Sequence, residues 1–190
     1  MAYKVLNNIA LKDTSSASLV SLKTAMLVLT INKDTKNNAS FKELDKVSKN
    51  YLSKTITSHL KESGSSMLLP KIDGINAENI LLVKGLDKDA PMHKWLSMYA
   101  SISQKGNQLN AKDISVMCGT TCPSGKDELW LIEMVAKTIE SNAYIFSETK
   151  NKTAKKPSLK NLTILTSGLS GTNLTKAKQP AKKGYAIGEG

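Results

Sequence analysis

The sequence predicts an α/β fold in which a mixed β-sheet is flanked by helices on both faces. Three observations carry that prediction. Short strand-like and longer helix-like patterns alternate along almost all of the 190 residues. AMLVLTI at 25–31 is continuously apolar, as a strand covered on both faces must be. Asp73-Gly74 lies between two apolar runs, a turn signal suited to a hairpin and hence to a mixed sheet.

The elements follow in order. YKVLN at 3–7 reads as a short strand, and 25–31 as the buried one. A single helix is expected over 40–60, with Ser40 as N-cap and Glu43 at capping-box spacing. Its apolar positions are Phe41, Leu44, Val47, Tyr51, Leu52, Ile56 and Leu60, and Gly64 marks its stop. SSMLLPKI at 65–72 and NILLVKGL at 79–86 form the hairpin. Pro70 cannot donate to a ladder, so it is expected at a sheet edge or a bulge. A helix over 90–104, with Pro91 in its first turn, carries the stripe Trp95, Met98, Tyr99 and Ile102. DISVMC at 113–118 is a strand, 127–146 a helix, and NLTILT at 161–166 the last strand. A final helix is expected to begin near Lys176 and to be cut off at Gly190.

Charge narrows the partners. The net charge is +11, and all 27 basic residues are Lys. Without Arg the chain lacks the forked contact that reads guanine. Any nucleic-acid contact would be sequence-independent and sensitive to salt. Residues 150–190 hold nine lysines against Glu189 alone, which suits a linker, a subunit contact or an anion-facing surface. No apolar run reaches the roughly 18 residues needed to cross a bilayer, and MAYKVLNN has no signal-peptide core. A cytoplasmic protein with no membrane partner is expected.

Residues able to do chemistry are sparse. His59 and His93 lie on different helices, without a second ligand at metal spacing. Cys118 and Cys122, in CGTTC, have three intervening residues where the redox motif has two, and no second pair completes a zinc site. Cys118 reads as a buried strand end and Cys122 as a loop thiol. SGLSGTN at 167–173 lacks the Gly-Lys-Ser/Thr of a phosphate loop and reads as a connection. Gly85 reads as a turn that closes its strand. Asp87, Asp89, Asp113 and Glu128 fall near strand ends or helix starts, where carboxylates also serve the helix dipole. No catalytic, cofactor-binding or metal-binding residue is assigned.

Taken together, FKELDKVSKNYLSKTI, SSMLLPKI and NILLVKGLDKD resemble the N-terminal domain of the cytosol (leucyl) aminopeptidase family. Lys84-Gly85-Leu86 followed by Asp87-Lys88 is similar to the family's "ILLVGLGK" element. YIFSETKNKTAKKPSLKNLTIL and GYAIGEG at 184–190 are similar to two later elements, the second being the helix that joins the family's two domains. The resemblance implies a macro-domain-like fold at 1–166, with 167–190 as linker and start of the helix into a C-terminal catalytic domain. It implies a parent enzyme that removes leucine-like residues from peptide N-termini. Two divalent metals, Zn, Mn or Mg, would there polarise the carbonyl and activate a bridging water. The family's metal ligands and its catalytic lysine and arginine belong to the C-terminal domain. Their motif "NTDAEGR" is absent from this sequence, so no catalytic residue carries over and this segment needs no cofactor. The expected role is assembly, as part of a hexamer, or substrate access. The alternatives are a sequence-independent DNA-binding module, since some family members are associated with DNA, and a nucleotide or ADP-ribose-binding macro-like domain.

Overall fold

The structure is a computed structural model that describes residues 6–14, 18–33, 35–119, 121–143, 158–166, 169 and 171–189. Among them are six strands: β1 (Asn8–Asp13), β2 (Met26–Ile31), β3 (Ser66–Leu69), β4 (Ile80–Lys84), β5 (Asp113–Met117) and β6 (Asn161–Thr166). Five α-helices accompany them: α1 (Ala39–Val47), α2 (Tyr51–His59), α3 (Met92–Gln108), α4 (Glu128–Ala143) and α5 (Gly171–Glu189). The strands form one sheet in the order β1-β6-β5-β2-β4-β3, parallel except for the antiparallel pair β3–β4.

The two sheet faces are read directly from residue parity. On β2, Met26 and Val28 enter one core with Leu81, Val83, Ile114, Val116 and Ile164, under α3, α4 and α5. Leu27, Leu29 and Ile31 enter the other with Ile80, Leu82 and Met117, under α1 and α2. All six residues of β2 are buried, because it lies between β5 and β4 and is covered on both faces. The predicted stripe Trp95, Met98, Tyr99 and Ile102 is the buried face of α3. Pro70 follows β3, which is an edge strand.

Several expectations need correction. Of the strand expected at 3–7, residues 3–5 lie outside the described residues, and 6–7 are not strand. The strand here is β1, which pairs with β6 from Asn8↔Asn161. The single helix over 40–60 is two helices. Lys49 and Asn50 sit between them at φ 53° and 62°, a left-handed step that ends α1. The N-cap of α1 is Asn38, whose side chain accepts from the backbone N–H groups of Ser40 and Phe41. Ser40 instead donates its hydroxyl to the Thr14 carbonyl at 3.2 Å. Pro91 is the N-cap of α3 rather than part of its first turn. Residues 144–146 of the next expected helix lie outside the described residues. The last helix begins at Gly171, well before Lys176.

α5 packs on α4 at very close range. A Cβ on Gly184 would collide with the carbonyl of Glu133, and one on Gly188 would lie 2.8 Å from the Lys137 carbonyl. Ala177 and Ala181, two turns and one turn before Gly184, are also buried. Lys183 pairs with Glu133 at 2.9 Å, and Tyr185 donates its hydroxyl to the Leu6 carbonyl at 2.7 Å.

Candidate functional site

In a parallel α/β sheet, ligands bind outside the carboxyl ends of the strands, where successive connections leave to opposite faces. Here that place lies between β2 and β5. The chain leaves β2 toward α1 and α2 on one face, and leaves β5 toward α4 on the other.

The crevice at that switch point is occupied by Asn32. Its Nδ2 donates to Thr121 Oγ1 at 3.0 Å, bridging the ends of β2 and β5. The absence of a side chain on two neighbours makes this possible. A Cβ on Gly85 would collide with Asn32 Oδ1, and one on Gly119 with Asn32 Nδ2. Gly85 is therefore not the turn read from the sequence: its N–H extends the ladder to the Ile31 carbonyl at 2.8 Å. The residue it accommodates, Asn32, carried no signal in the sequence.

Behind this bridge lies a cluster of weak acids. The Tyr99 hydroxyl lies beside the Cys118 thiol and the Thr30 hydroxyl, and burial raises it well above the usual phenol range. Burial, reinforced by the Glu128 carboxylate and by Cys122, pushes the Cys118 thiol up to about 12. Burial, with Glu128 and Asp127 adding to it, also raises Cys122. Burial raises Glu128 itself. A thiolate nucleophile needs the opposite shift, so both thiols stay protonated at neutral pH. Trp95, one turn before Tyr99 on the same face of α3, keeps a buried indole N–H without a hydrogen-bond partner among the described residues.

The remaining candidates are dispersed. His59 is the last residue of α2 and His93 lies in the first turn of α3; both are exposed. Asp89 accepts from the Ser124 hydroxyl at 2.5 Å, tying the loop before α3 to the loop before α4. Asp87 is exposed in the same loop, its carbonyl accepting from the Ala90 N–H. Asp113 lies at the opposite end of the sheet and accepts from the Ala25 N–H at 3.2 Å. Glu128 opens α4. Within 167–173, residues 167, 168 and 170 lie outside the described residues, and Gly171 begins α5. Among the described residues, no three of His, Cys, Asp and Glu come together as a metal site would require.

Comparison with known proteins places this geometry. A family model described as "Cytosol aminopeptidase family, N-terminal domain" matches residues 27–153. A probable cytosol aminopeptidase of Pseudomonas fluorescens (strain SBW25) is 29% identical over 155 residues, covering 80% of this chain and 31% of the relative. One from Nitrosococcus oceani is 30% identical over 174 residues, covering 88% and 34%. The chain thus spans about a third of the length of the curated relatives it matches. Among solved structures, a tomato leucine aminopeptidase mutant superimposes with a TM-score of 0.73 at 18% identity, over 99% of this chain and 37% of that one. A Trypanosoma brucei macrodomain in complex with ADP gives 0.62 at 15% identity, over 90% and 68%. At these identities the structures show the fold: the mixed sheet between helices is of the kind found in macrodomains and in part of leucine aminopeptidase.

Proposed function

The chain belongs to the cytosol aminopeptidase family, as its N-terminal domain, and from this we propose that it is the non-catalytic domain of a cytoplasmic metallo-aminopeptidase. The whole protein would remove N-terminal, leucine-preferring residues from peptides. Its active site would lie in a C-terminal domain holding two divalent ions, which supply the Lewis-acid chemistry. The observation that carries this reading is the family match, which falls on the N-terminal domain.

Among the described residues, the side chains do not offer a ligand set for such a metal pair. The two histidines are exposed on separate helices, and the best-buried thiol holds its proton to about 12. A domain of this make-up would serve assembly, as one corner of a hexamer, or access of peptide to the catalytic domain. Residues 1–166 would form the macro-like body and 167–190 the connection onward.

The test is a peptidase assay of the 190-residue chain on leucyl-p-nitroanilide, with and without manganese. No release of p-nitroaniline is expected. Turnover that a chelator abolishes would refute the reading.

The lysines of α5 favour a second reading, a sequence-independent DNA-binding module. Lys176, Lys178 and Lys182 are all exposed on that helix. It requires duplex binding that falls steeply with salt, and no retardation of a duplex at low salt would remove it. A macro-like nucleotide or ADP-ribose site is less favoured, because Asn32 and Thr121 close the switch-point crevice.

A further inference from the structure

On the other side of Asn32, toward α2, the carboxyl ends of β2 and β4 border a recess of about 560 Å³. We propose that this recess binds a small amphipathic organic anion, with a phosphate or carboxylate group beside an apolar portion.

Its size lies within the range of small-molecule sites, about 300–1,000 Å³. Its apolar wall is Ile31, Ile56 and Leu60, all buried. Its polar wall is Asn32, Thr57 and three lysines: Lys33, Lys61 and Lys84. Among the described residues no acidic side chain lines it, and the one ion pair among them, Lys183–Glu133, lies elsewhere. Three lysines thus line one concavity, with no acidic side chain beside them among the described residues. A bound anion would be drawn to that positive lining, and lysine supplies the point charges that phosphate accepts.

The recess is held in place by the sheet. Lys84 ends β4, with its N–H donating to the Ser65 carbonyl at 2.8 Å and its carbonyl accepting from the Gly64 N–H at 2.9 Å. Parity sends its side chain to the same face as Ile80 and Leu82, under α2. The recess therefore combines a strand-end position, where α/β sheets bind ligands, with an apolar wall and a rim of three lysines.

The test is a titration of the 190-residue chain with phenyl phosphate and, separately, phenylacetate, followed by backbone-amide NMR. Saturable shifts are expected at Thr57, Lys61 and Lys84, and the stronger of the two ligands identifies the anionic group. Inorganic phosphate and phenol, each lacking one half of the ligand, should bind about tenfold more weakly. Lys61→Gln and Lys84→Gln should each weaken binding about two- to fivefold, as expected for exposed charge pairs. Lys178→Gln, on α5, should leave it unchanged. Raising salt from about 50 to about 300 mM should weaken it further. Lys61 is exposed, so its variant tests the site even if Lys84→Gln disturbs the strand. Shifts spread over the whole lysine-rich surface, no saturation, or indifference to Lys61→Gln would overturn the proposal.

Discussion

The carboxamide of Asn32 fills the space that a Cβ on Gly85 would need. The contact joins the end of β2 to the residue following β4, and with the Thr121 bond it closes the sheet at its switch point. Gly85→Ala must therefore displace Asn32 or bend the ladder to Ile31. The expected loss is about 1–3 kcal/mol, the range for overpacking, measured by urea denaturation. Asn32→Ala introduced alongside it should recover part of that loss, since contacting residues couple by about 0.5–3 kcal/mol. Purely additive effects would show that the two residues do not compete for space.

The α4–α5 contact gives a second test with two opposed terms. Gly→Ala inside a helix ordinarily gains about 0.5–1 kcal/mol. At Gly184 the new methyl would meet the Glu133 backbone, which cannot rotate away as a side chain can. Overpacking, at about 1–3 kcal/mol, should win. Gly184→Ala is expected to lower the denaturation midpoint and speed proteolysis within α5, while Lys178→Ala on the exposed side changes neither. A stabilised Gly184→Ala would mean that α5 is not seated this closely.

What was legible in the sequence was what burial writes locally. β2 is an almost continuous apolar run because the sheet is covered on both faces, β5 and β6 carry apolar residues at buried positions, and the stripe from Trp95 to Ile102 keeps helical spacing because one face of α3 is buried. The break between α1 and α2 was hidden by that same spacing. Val47, Tyr51, Leu52 and Ile56 continue the helical count across it, although Tyr51 is 46% exposed. β1 escaped notice because it is an edge strand whose apolar residues, Ile9, Ala10 and Leu11, are only half-buried, so burial imposes no long apolar run there. The Asn32–Gly85–Gly119 packing could not be read at all. It depends on strand ends that meet only once the parallel order is known.

The left-handed pair Lys49 and Asn50 gives a third prediction. A non-glycine residue in that region is strained by roughly 1–2 kcal/mol, whereas glycine gives back about 0.4–1 kcal/mol through the freer unfolded chain. Lys49→Gly should therefore raise stability by up to about 1 kcal/mol. Lys46→Gly, inside α1, should lower it by about 1 kcal/mol. The two denaturation curves should move in opposite directions; parallel shifts would contradict the break at Lys49.

The buried thiol makes the last prediction. Cys118 titrates at about 12 in the folded chain, against an ordinary value of 9.0. Between those values the unfolded chain has lost its thiol proton and the folded chain still holds it. Stability must then fall as pH rises through this window, because the folded state binds more protons. Cys118→Ala should flatten the fall without abolishing it, since the raised Tyr99 hydroxyl contributes in the same direction at higher pH. The same burial fixes reactivity. At pH 8 a thiol-disulfide reagent should modify the half-buried Cys122 slowly and Cys118 not at all, until denaturant releases both. Rapid modification of Cys118 in the folded chain would show that the Tyr99–Cys118 cluster is open to solvent, and the pH dependence argued from its burial would then be lost.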